Sequence, residues 1–213
     1  AAAMINRYVS LGNRLTTPVL NALGTRYLCL LNATELNAID TNSLKTAALD
    51  PSACSQTTKD ILYNKAKRAL SDQHNSRAYY LLIKPYLGGA PGIDLKALGK
   101  DRVNMDIETF TKLRRESLMD LTPAEVKDLL GVNLSQLKAV QNVSPVKDWI
   151  QKQKQSELDK LQIGLSGGLP DGYINFVTPK FQPPSSAPLG AVAMVFHVLP
   201  ALLLSFLMMF VLS

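Results

Sequence analysis

Histidine is the side chain most often used for acid–base catalysis near neutral pH, and this chain contains only two. His197 lies in an uncharged C-terminal run, and His74 lies in the polar segment 71–76. Serines and aspartates are frequent enough to suggest a Ser-His-Asp triad around His74, but no spacing between them favours one. We therefore interpret His74 as a solvated loop residue rather than a general base.

The sequence also lacks the residue patterns that metal-binding and phosphate-binding sites require. A zinc site requires several histidines or cysteines at ligand spacing, which this sequence does not have. The glycine-rich segment 88–92 has no Gly-Lys-Ser/Thr to hold a phosphate and follows no clear strand, so we expect a turn between helices there. The sequence predicts no enzyme, no cofactor and no small-molecule substrate.

Cys29 and Cys54 are the only cysteines in the chain. An even count suggests one disulfide if the chain enters the secretory pathway, and two buried free thiols if it does not. The bond would close a loop of about 25 residues and would stabilise the fold by roughly 3 kcal/mol in the chain-entropy model.

Three N-x-S/T sequons predict glycosylation at Asn32, Asn133 and Asn142. Pro145 directly follows the last sequon and should disfavour glycan transfer to Asn142. Asn32 also lies at the expected start of a short helix, where its side chain could cap the helix, carry a glycan, or do both.

The C-terminal run 189–213 contains no acidic or basic residue and is long enough to span the hydrocarbon core of a bilayer. Pro200 would interrupt a helix there. Three small residues, Ser185, Ser186 and Ala187, precede this run and a short uncharged spacer. These three small residues, the spacer and the apolar tail together form the signal for a glycosylphosphatidylinositol (GPI) anchor. We predict attachment of the anchor at Ser185 or Ser186. A retained transmembrane helix is the alternative, and either outcome ends the chain at a membrane.

The chain has 213 residues and a formal net charge of +6, from 23 basic and 17 acidic residues. These charges are interspersed, and no basic stripe of the kind that binds nucleic acid occurs. No secretory signal opens the sequence, whereas a GPI signal acts only on a secretory protein. We therefore expect the sequence to be an N-terminally truncated part of a longer protein.

Capping residues and helical periodicity predict many short helices and almost no β-structure. The main expected helices lie at 4–31 (with a stop at Gly24), 58–70, 93–98, 107–115 (capped by Asp106), 123–130 and 145–161, the last being the longest. The segment 173–177 is the one expected strand. Trp149, beside Ile150 in the longest helix, is expected in the core.

Two helix openings, LNATEL at 31–36 and LTPAEV at 121–126, are alike and suggest a degenerate repeat. Short helices that cannot bury a face alone must stack on their neighbours, which favours an α-solenoid over a closed bundle.

Several longer motifs resemble the mesothelin family. They are YLGGAP (86–91), DLKAL (94–98), LTPAEVKDLLG (121–131), PVKDWI (145–150) and LSGGLPDGY (165–173), together with the spacing from YLC (27–29) to Cys54. The resemblance covers about residues 4–177, and its motifs are long and specific. We therefore divide the chain into a helical-repeat region at 1–177, a linker with the GPI attachment site at 178–188 and a hydrophobic signal tail at 189–213.

The resemblance implies an all-α, superhelical, armadillo-like fold and carries a disulfide onto Cys29 and Cys54. It also implies a GPI-anchored glycoprotein on the extracellular face of the plasma membrane that acts in cell adhesion by binding a heavily glycosylated membrane mucin. The mucin-binding region of the family lies N-terminal to the matched part, so we expect this chain to be the membrane-proximal part. The alternative function is a structural component of an apical extracellular matrix, as in the related stereocilin and otoancorin proteins.

Overall fold

A computed structural model of the chain describes residues 2–73 and 78–172. These residues form eleven α-helices and no β-strand, which confirms the all-α class. The α-helices are α1 (Ala2–Ser10), α2 (Thr17–Leu28), α3 (Ala33–Asn37), α4 (Gln56–Ala69), α5 (Tyr79–Ile83), α6 (Gly92–Lys100), α7 (Ile107–Thr111), α8 (Arg115–Met119), α9 (Pro123–Leu130), α10 (Val146–Ile150) and α11 (Gln155–Asp159). The 3-10 helices are Thr41–Lys45, Pro51–Ala53, Ser71–Gln73, Lys84–Gly89 and Gly131–Val140.

Side-chain caps start the two helices whose openings are alike in sequence. The Asn32 side chain accepts from the backbone N–H of Glu35, and the Glu35 carboxylate accepts from the backbone N–H of Asn32, both at 2.9 Å. At α9 the same reciprocal pair joins Thr122 and Glu125, at 2.8 and 3.3 Å. Both are capping boxes, in which two otherwise unpaired backbone donors are satisfied at once.

The residue before the cap and the residue four after it are apolar and buried at four helix starts. The four pairs are Leu31 with Leu36, Ile39 with Leu44, Met105 with Phe110, and Leu121 with Val126. This is the pattern of a hydrophobic staple, which fixes the direction in which the chain enters a helix. Helices of only about one or two turns are marginal in isolation, so these buried flanking residues are what anchor them to the core.

Many polar contacts between distant parts of the chain join residues about thirty positions apart, although the contact from Tyr86 to Leu44 spans 42 positions and that from Arg114 to Asp60 spans 54. They include Ser117 Oγ donating to the Ala90 carbonyl, 27 residues apart, Trp149 Nε1 to Leu121, 28 apart, and Tyr63 Oη to Asp94, 31 apart. The helices in closest contact are likewise near each other in sequence, as α4 is with the 3-10 helix Lys84–Gly89 and α6 with α9. Several segments therefore contact a segment that lies about thirty residues further along the chain.

The expected long helix at 145–161 is wrong, because the chain forms two short helices there, α10 and α11. Lys154 lies between them with an extended backbone (φ −66°, ψ 138°). Gln155 donates its N–H to the Leu169 carbonyl, and the N–H of Leu169 donates to the Gln153 carbonyl, both at 2.7 Å. This pairing with a downstream loop replaces the helical hydrogen bonds, and α4 is the longest helix among the described residues.

One expected helix stop is confirmed and one helix end differs from expectation. Gly24, at φ 68° and ψ 170°, has a non-helical backbone and interrupts α2 where the sequence predicted a stop, although helical turns resume after it and reach Leu28. The helix capped by Asp106 ends at Thr111, and α8 begins separately at Arg115. Between them the backbone of Arg114 is extended, and its guanidinium contacts Asp60 of α4 at 3.1 Å. The periodic pattern that runs through residues 107–115 therefore does not form one continuous helix.

Residues 74–77 and 173–213 lie outside the described part of the chain. His74, the expected strand at 173–177, the linker 178–188 with Ser185 and Ser186, and the tail 189–213 with His197 all fall in these ranges. Within residues 2–73 and 78–172, no helix is both long and apolar enough to cross a membrane.

Candidate functional site

The two cysteines form a disulfide, with a sulfur–sulfur distance of 1.98 Å, and this is the pairing that the sequence suggested. Cys29 ends α2, where its backbone N–H donates to the Thr25 carbonyl, and Cys54 follows the 3-10 helix Pro51–Ala53. The bond therefore closes the segment that contains α3 and two 3-10 helices onto the start of α4.

The three sequon asparagines differ in how their side-chain amides are used. Asn32 is exposed, its Oδ1 caps α3, and its Nδ2 has no hydrogen-bond acceptor among the described residues. An N-glycan is attached at Nδ2, so capping and glycosylation use different atoms of this side chain. Asn142 is also exposed and forms no side-chain hydrogen bond with the described residues.

Asn133 is held in the fold by the atom to which a glycan would be attached. Its Nδ2 donates to the carbonyls of Asn104 and Met105, at 3.0 and 3.2 Å, and its Oδ1 accepts from Gln136. These bonds fix the 3-10 helix Gly131–Val140 to the turn before α7. A glycan would replace one of the two donated hydrogens, so the geometry opposes glycosylation at Asn133. Glycosylation at Asn32 and Asn142 remains a prediction, and for Asn133 these hydrogen bonds lead us to expect an unmodified side chain.

The buried polar groups of the described residues have structural partners. Every buried side-chain nitrogen or oxygen in that part of the chain is hydrogen-bonded, and no group of three or more His, Cys, Asp or Glu side chains there is placed to hold a metal ion. Burial, together with the hydrogen bond to Asp94, strongly raises the pKa of Tyr63, so its hydroxyl stays protonated. Lys67 contacts the same carboxylate at 2.7 Å, and the trio ties α4 to α6.

A cleft of about 260 Å³ lies where four segments meet: the end of the disulfide-closed loop, the first turn of α4, the 3-10 helix Lys84–Gly89, and α7. Apolar side chains contribute part of its lining, namely Leu49, Pro51, Pro85 and Tyr86. Five charged side chains also line the cleft, namely Asp50, Lys59, Lys84, Glu108 and Lys112.

Two of the three cleft lysines are neutralised by ion pairs. Lys84 contacts Asp106 at 2.9 Å, and Lys112 contacts Glu108 at 2.8 Å. Lys59 is half-buried and forms no ion pair with any described residue. Lys59 is therefore the lysine of this cleft that is available to bind an anionic group of a ligand.

Asp50 completes the charges of the cleft. Hydrogen bonds from Ser52 chiefly, and then the nearby ammonium groups of Lys112 and Lys59, lower the pKa of Asp50, although its partial burial acts in the opposite direction. The backbone N–H of Ser52 donates to Asp50 Oδ1 at 3.0 Å. Asp50 is thus ionised at neutral pH and presents a hydrogen-bond acceptor to the cleft.

The sequence did not predict this cleft. Its lysines stand at positions 59, 84 and 112, too far apart for any helical or strand period to relate them. Pro51 and Pro85 signal turns, and they are the first and second residues of two 3-10 helices, but a turn signal does not indicate which other turn it will contact.

A second notable surface is apolar and lies on α1, α2 and the adjoining loops. Its exposed side chains are Met4, Tyr8, Leu11, Tyr27 and Leu30. A groove of about 360 Å³ runs between α1 and α2, lined by Met4, Ile5, Tyr8, Leu15, Val19, Ala22, Leu23 and Tyr27.

Comparison with known proteins gives a consistent set of relatives. The family described as Mesothelin matches residues 1–208. Mesothelin of Rattus norvegicus is 38% identical over 208 residues, which cover 94% of this chain and 33% of the rat protein. Mesothelin of Mus musculus is 38% identical over 178 residues, covering 82% and 28%. The mesothelin-like protein of Homo sapiens is 31% identical over 186 residues, covering 80% and 26%. The chain thus spans a third or less of the length of these relatives.

Proposed function

The chain belongs to the mesothelin family, and on that basis we propose that it is part of a non-catalytic, GPI-anchored cell-surface glycoprotein that acts in cell adhesion. The family match over residues 1–208 is the observation that carries the proposal. Mesothelin is not a known enzyme family. The hydrogen-bonded caps and ties that occupy the buried polar groups of the described residues also support a role in binding rather than in chemistry.

Its helical region is an α-solenoid, in which short helices stack in sequence order. The recurrent spacing of about thirty residues between polar partners supports this arrangement, since each repeat in a solenoid contacts only its neighbours. Such stacking produces an extended, shallow surface that suits an extended partner. Small-angle X-ray scattering of the helical region alone should give an elongated particle, and a compact one would contradict the solenoid.

The anchor is a GPI group attached at Ser185 or Ser186, with removal of the tail 189–213. The small residues and the uncharged terminal run support it. Phosphatidylinositol-specific phospholipase C should release the protein from expressing cells. If the protein stays at the surface and tail peptides are still detected by mass spectrometry, the tail is a retained transmembrane helix instead.

The adhesion partner is a heavily glycosylated membrane mucin, and this chain is the membrane-proximal part of the adhesive protein. Its length, a third or less of its relatives, supports a partial role. Cells that display the full-length parent should adhere to mucin-coated surfaces more strongly than cells that display this chain with its own tail. Equal adhesion by the two would place the mucin-binding site within these residues.

A further inference from the structure

We propose that the cleft around Lys59 binds a single sugar unit that carries one anionic group, either a carboxylate or a sulfate. This proposal rests on the proposed function in one respect only: a cell-surface location is what would expose the cleft to such sugars. The cleft is lined by the end of the disulfide-closed loop, the first turn of α4, the 3-10 helix Lys84–Gly89 and α7.

The size of the cleft limits the ligand to something small. Sites for drug-sized molecules usually enclose roughly 300–1,000 Å³, whereas this cleft holds about 260 Å³. One terminal sugar fits this volume better than an oligosaccharide or a peptide. The rest of a glycan would extend into solvent.

The lining combines the groups that a sugar requires. Sugar rings have apolar C–H faces, which can pack on Pro51 and Pro85. Sugar hydroxyls are donors, and the carboxylates of Asp50 and Glu108 are acceptors on the cleft wall. The ammonium of Lys59 supplies a charge-assisted hydrogen bond to the anionic group, the strongest single contact available there.

Lys59 is held at the cleft by its own packing. A Cβ atom added at Gly88 would lie 3.3 Å from Cδ of Lys59, so the aliphatic stem of the lysine runs along the Gly88 backbone. Gly89 approaches the Lys59 carbonyl so closely that an added Cβ would lie only 2.2 Å from that oxygen, which fixes the start of α4 on the 3-10 helix. The two glycines therefore hold the backbone and the aliphatic stem of Lys59, which reduces the side-chain entropy that Lys59 would lose on binding.

The charge balance of the cleft predicts selectivity for one anionic group over a polyanion. Lys84 and Lys112 are paired with Asp106 and Glu108. Asp50 adds a third carboxylate near Lys59 and Lys112, so the three lysines are matched by three acids. No excess positive charge remains in the cleft to attract a long polyanion such as heparin, and of the three cleft lysines only Lys59 forms no ion pair with a described residue.

A site with one strong contact binds a single sugar weakly, and many copies displayed together bind far better. The test therefore uses multivalent probes: fluorescent polyacrylamide carrying sialyllactose, carrying sulfated galactose, or carrying uncharged lactose. The full chain is purified in detergent and captured on beads, so that the result does not depend on how the protein is anchored. The variants are Lys59→Gln, Lys59→Arg and, as a matched control, Lys127→Gln. Lys127 is an exposed lysine of α9 that forms no ion pair with the described residues.

We expect at least one charged probe to bind and the lactose probe not to bind. Loss of one charge-assisted hydrogen bond is worth a factor of about ten, so Lys59→Gln should weaken binding about tenfold. Lys127→Gln should leave binding unchanged, and Lys59→Arg should retain most of it. The probe that binds identifies the anion as carboxylate or sulfate. The proposal is overturned if neither charged probe binds, or if Lys59→Gln binds as well as the unsubstituted chain with its helical circular dichroism unchanged.

Adhesion of the same beads to immobilised mucin separates this proposal from the proposed function. If beads adhere to mucin and Lys59→Gln makes no difference to probe or mucin binding, the cleft is not the site but the adhesive function stands. If the charged probe binds through Lys59 while neither these beads nor the full-length parent bind mucin, the cleft stands and the mucin partner is wrong.

Discussion

The helices α3 and α9 open with the same local pattern but are fastened to the fold by different means. Each begins with a capping box between two buried apolar residues. Three residues before the cap of α3 lies Cys29, which is covalently bonded to Cys54. At α9 the residue before the cap, Leu121, accepts a hydrogen bond from the buried indole of Trp149 at 2.8 Å. A disulfide thus attaches α3 to the fold, and a packed, hydrogen-bonded tryptophan attaches α9.

The difference shows that a capping box starts a helix but does not hold it in place. α3 has 5 residues and α9 has 8, both well below the roughly 12–15 residues at which isolated helices become stable. Each must draw its stability from contacts outside itself. The following substitutions remove those contacts in turn and so measure how much each contributes.

Removing Trp149 should have the largest effect. Trp149→Ala leaves a cavity and an unpaired Leu121 carbonyl, and we expect a loss of about 3–5 kcal/mol in the free energy of unfolding. Trp149→Phe, which keeps an aromatic ring but not the indole N–H, should cost clearly less. Urea denaturation followed by circular dichroism measures both, and a loss below about 1 kcal/mol for Trp149→Ala would contradict the anchoring role.

Removing the disulfide should have the second largest effect, and this effect should fall on α3 rather than on α9. The paired substitution Cys29→Ser and Cys54→Ser should reduce the free energy of unfolding by about 3 kcal/mol, because the unfolded chain gains loop freedom. Hydrogen exchange should rise first in α3 and the neighbouring 3-10 helices, while α9 stays protected. Equal deprotection of α3 and α9 would show that the two regions unfold as one unit.

Removing the caps should have smaller and similar effects. Asn32→Ala and Thr122→Ala should each cost about 1 kcal/mol, since each loses one side-chain cap. Two controls separate the cap of Asn32 from its glycan. Thr34→Ala destroys the sequon but keeps the cap, and Asn32→Asp keeps a capping oxygen but removes the amide that carries a glycan.

Mass spectrometry of the protein from secretory cells checks the glycans. A glycan is expected at Asn32 and lost in Thr34→Ala, with little change in the protein's thermal midpoint. Asn133 should remain unmodified, because its amide donates to Asn104 and Met105. Full occupancy at Asn133 would mean that those hydrogen bonds are dispensable.

The smallest effect expected is the pH dependence of the α9 cap. Burial acts to raise the pKa of Glu125, but hydrogen bonds with Thr122 and the ammonium of Lys96, at 3.2 Å, lower it below the ordinary value. Because the folded pKa is the lower one, the stabilisation is complete above the unfolded pKa of about 4.3 and is lost as the pH falls through the folded value. Glu125→Gln should flatten this part of the acid-denaturation profile, and an unchanged profile would refute the assignment.

Features encoded within four residues were predictable, as the capping boxes of α3 and α9 illustrate. The cap at Asp106 was predicted for the same reason, since its partner Thr109 lies three residues away. The end of that helix at Thr111 was not predicted; Arg114, which lies between it and α8, contacts Asp60, 54 residues earlier in the sequence. No periodic signal contains such a contact.

The sequence by itself determined the helical class, the positions at which most helices begin, the burial of Trp149 and the family to which the chain belongs. These features depend on residue types at short fixed spacings, which a linear chain records directly. The tertiary structure alone decided that the segment 145–161 divides at Lys154, that the amide of Asn133 is occupied, and that lysines 59, 84 and 112 share one cleft. These features depend on which distant segments stack together, and that is set by the packing of the whole core rather than by any local pattern.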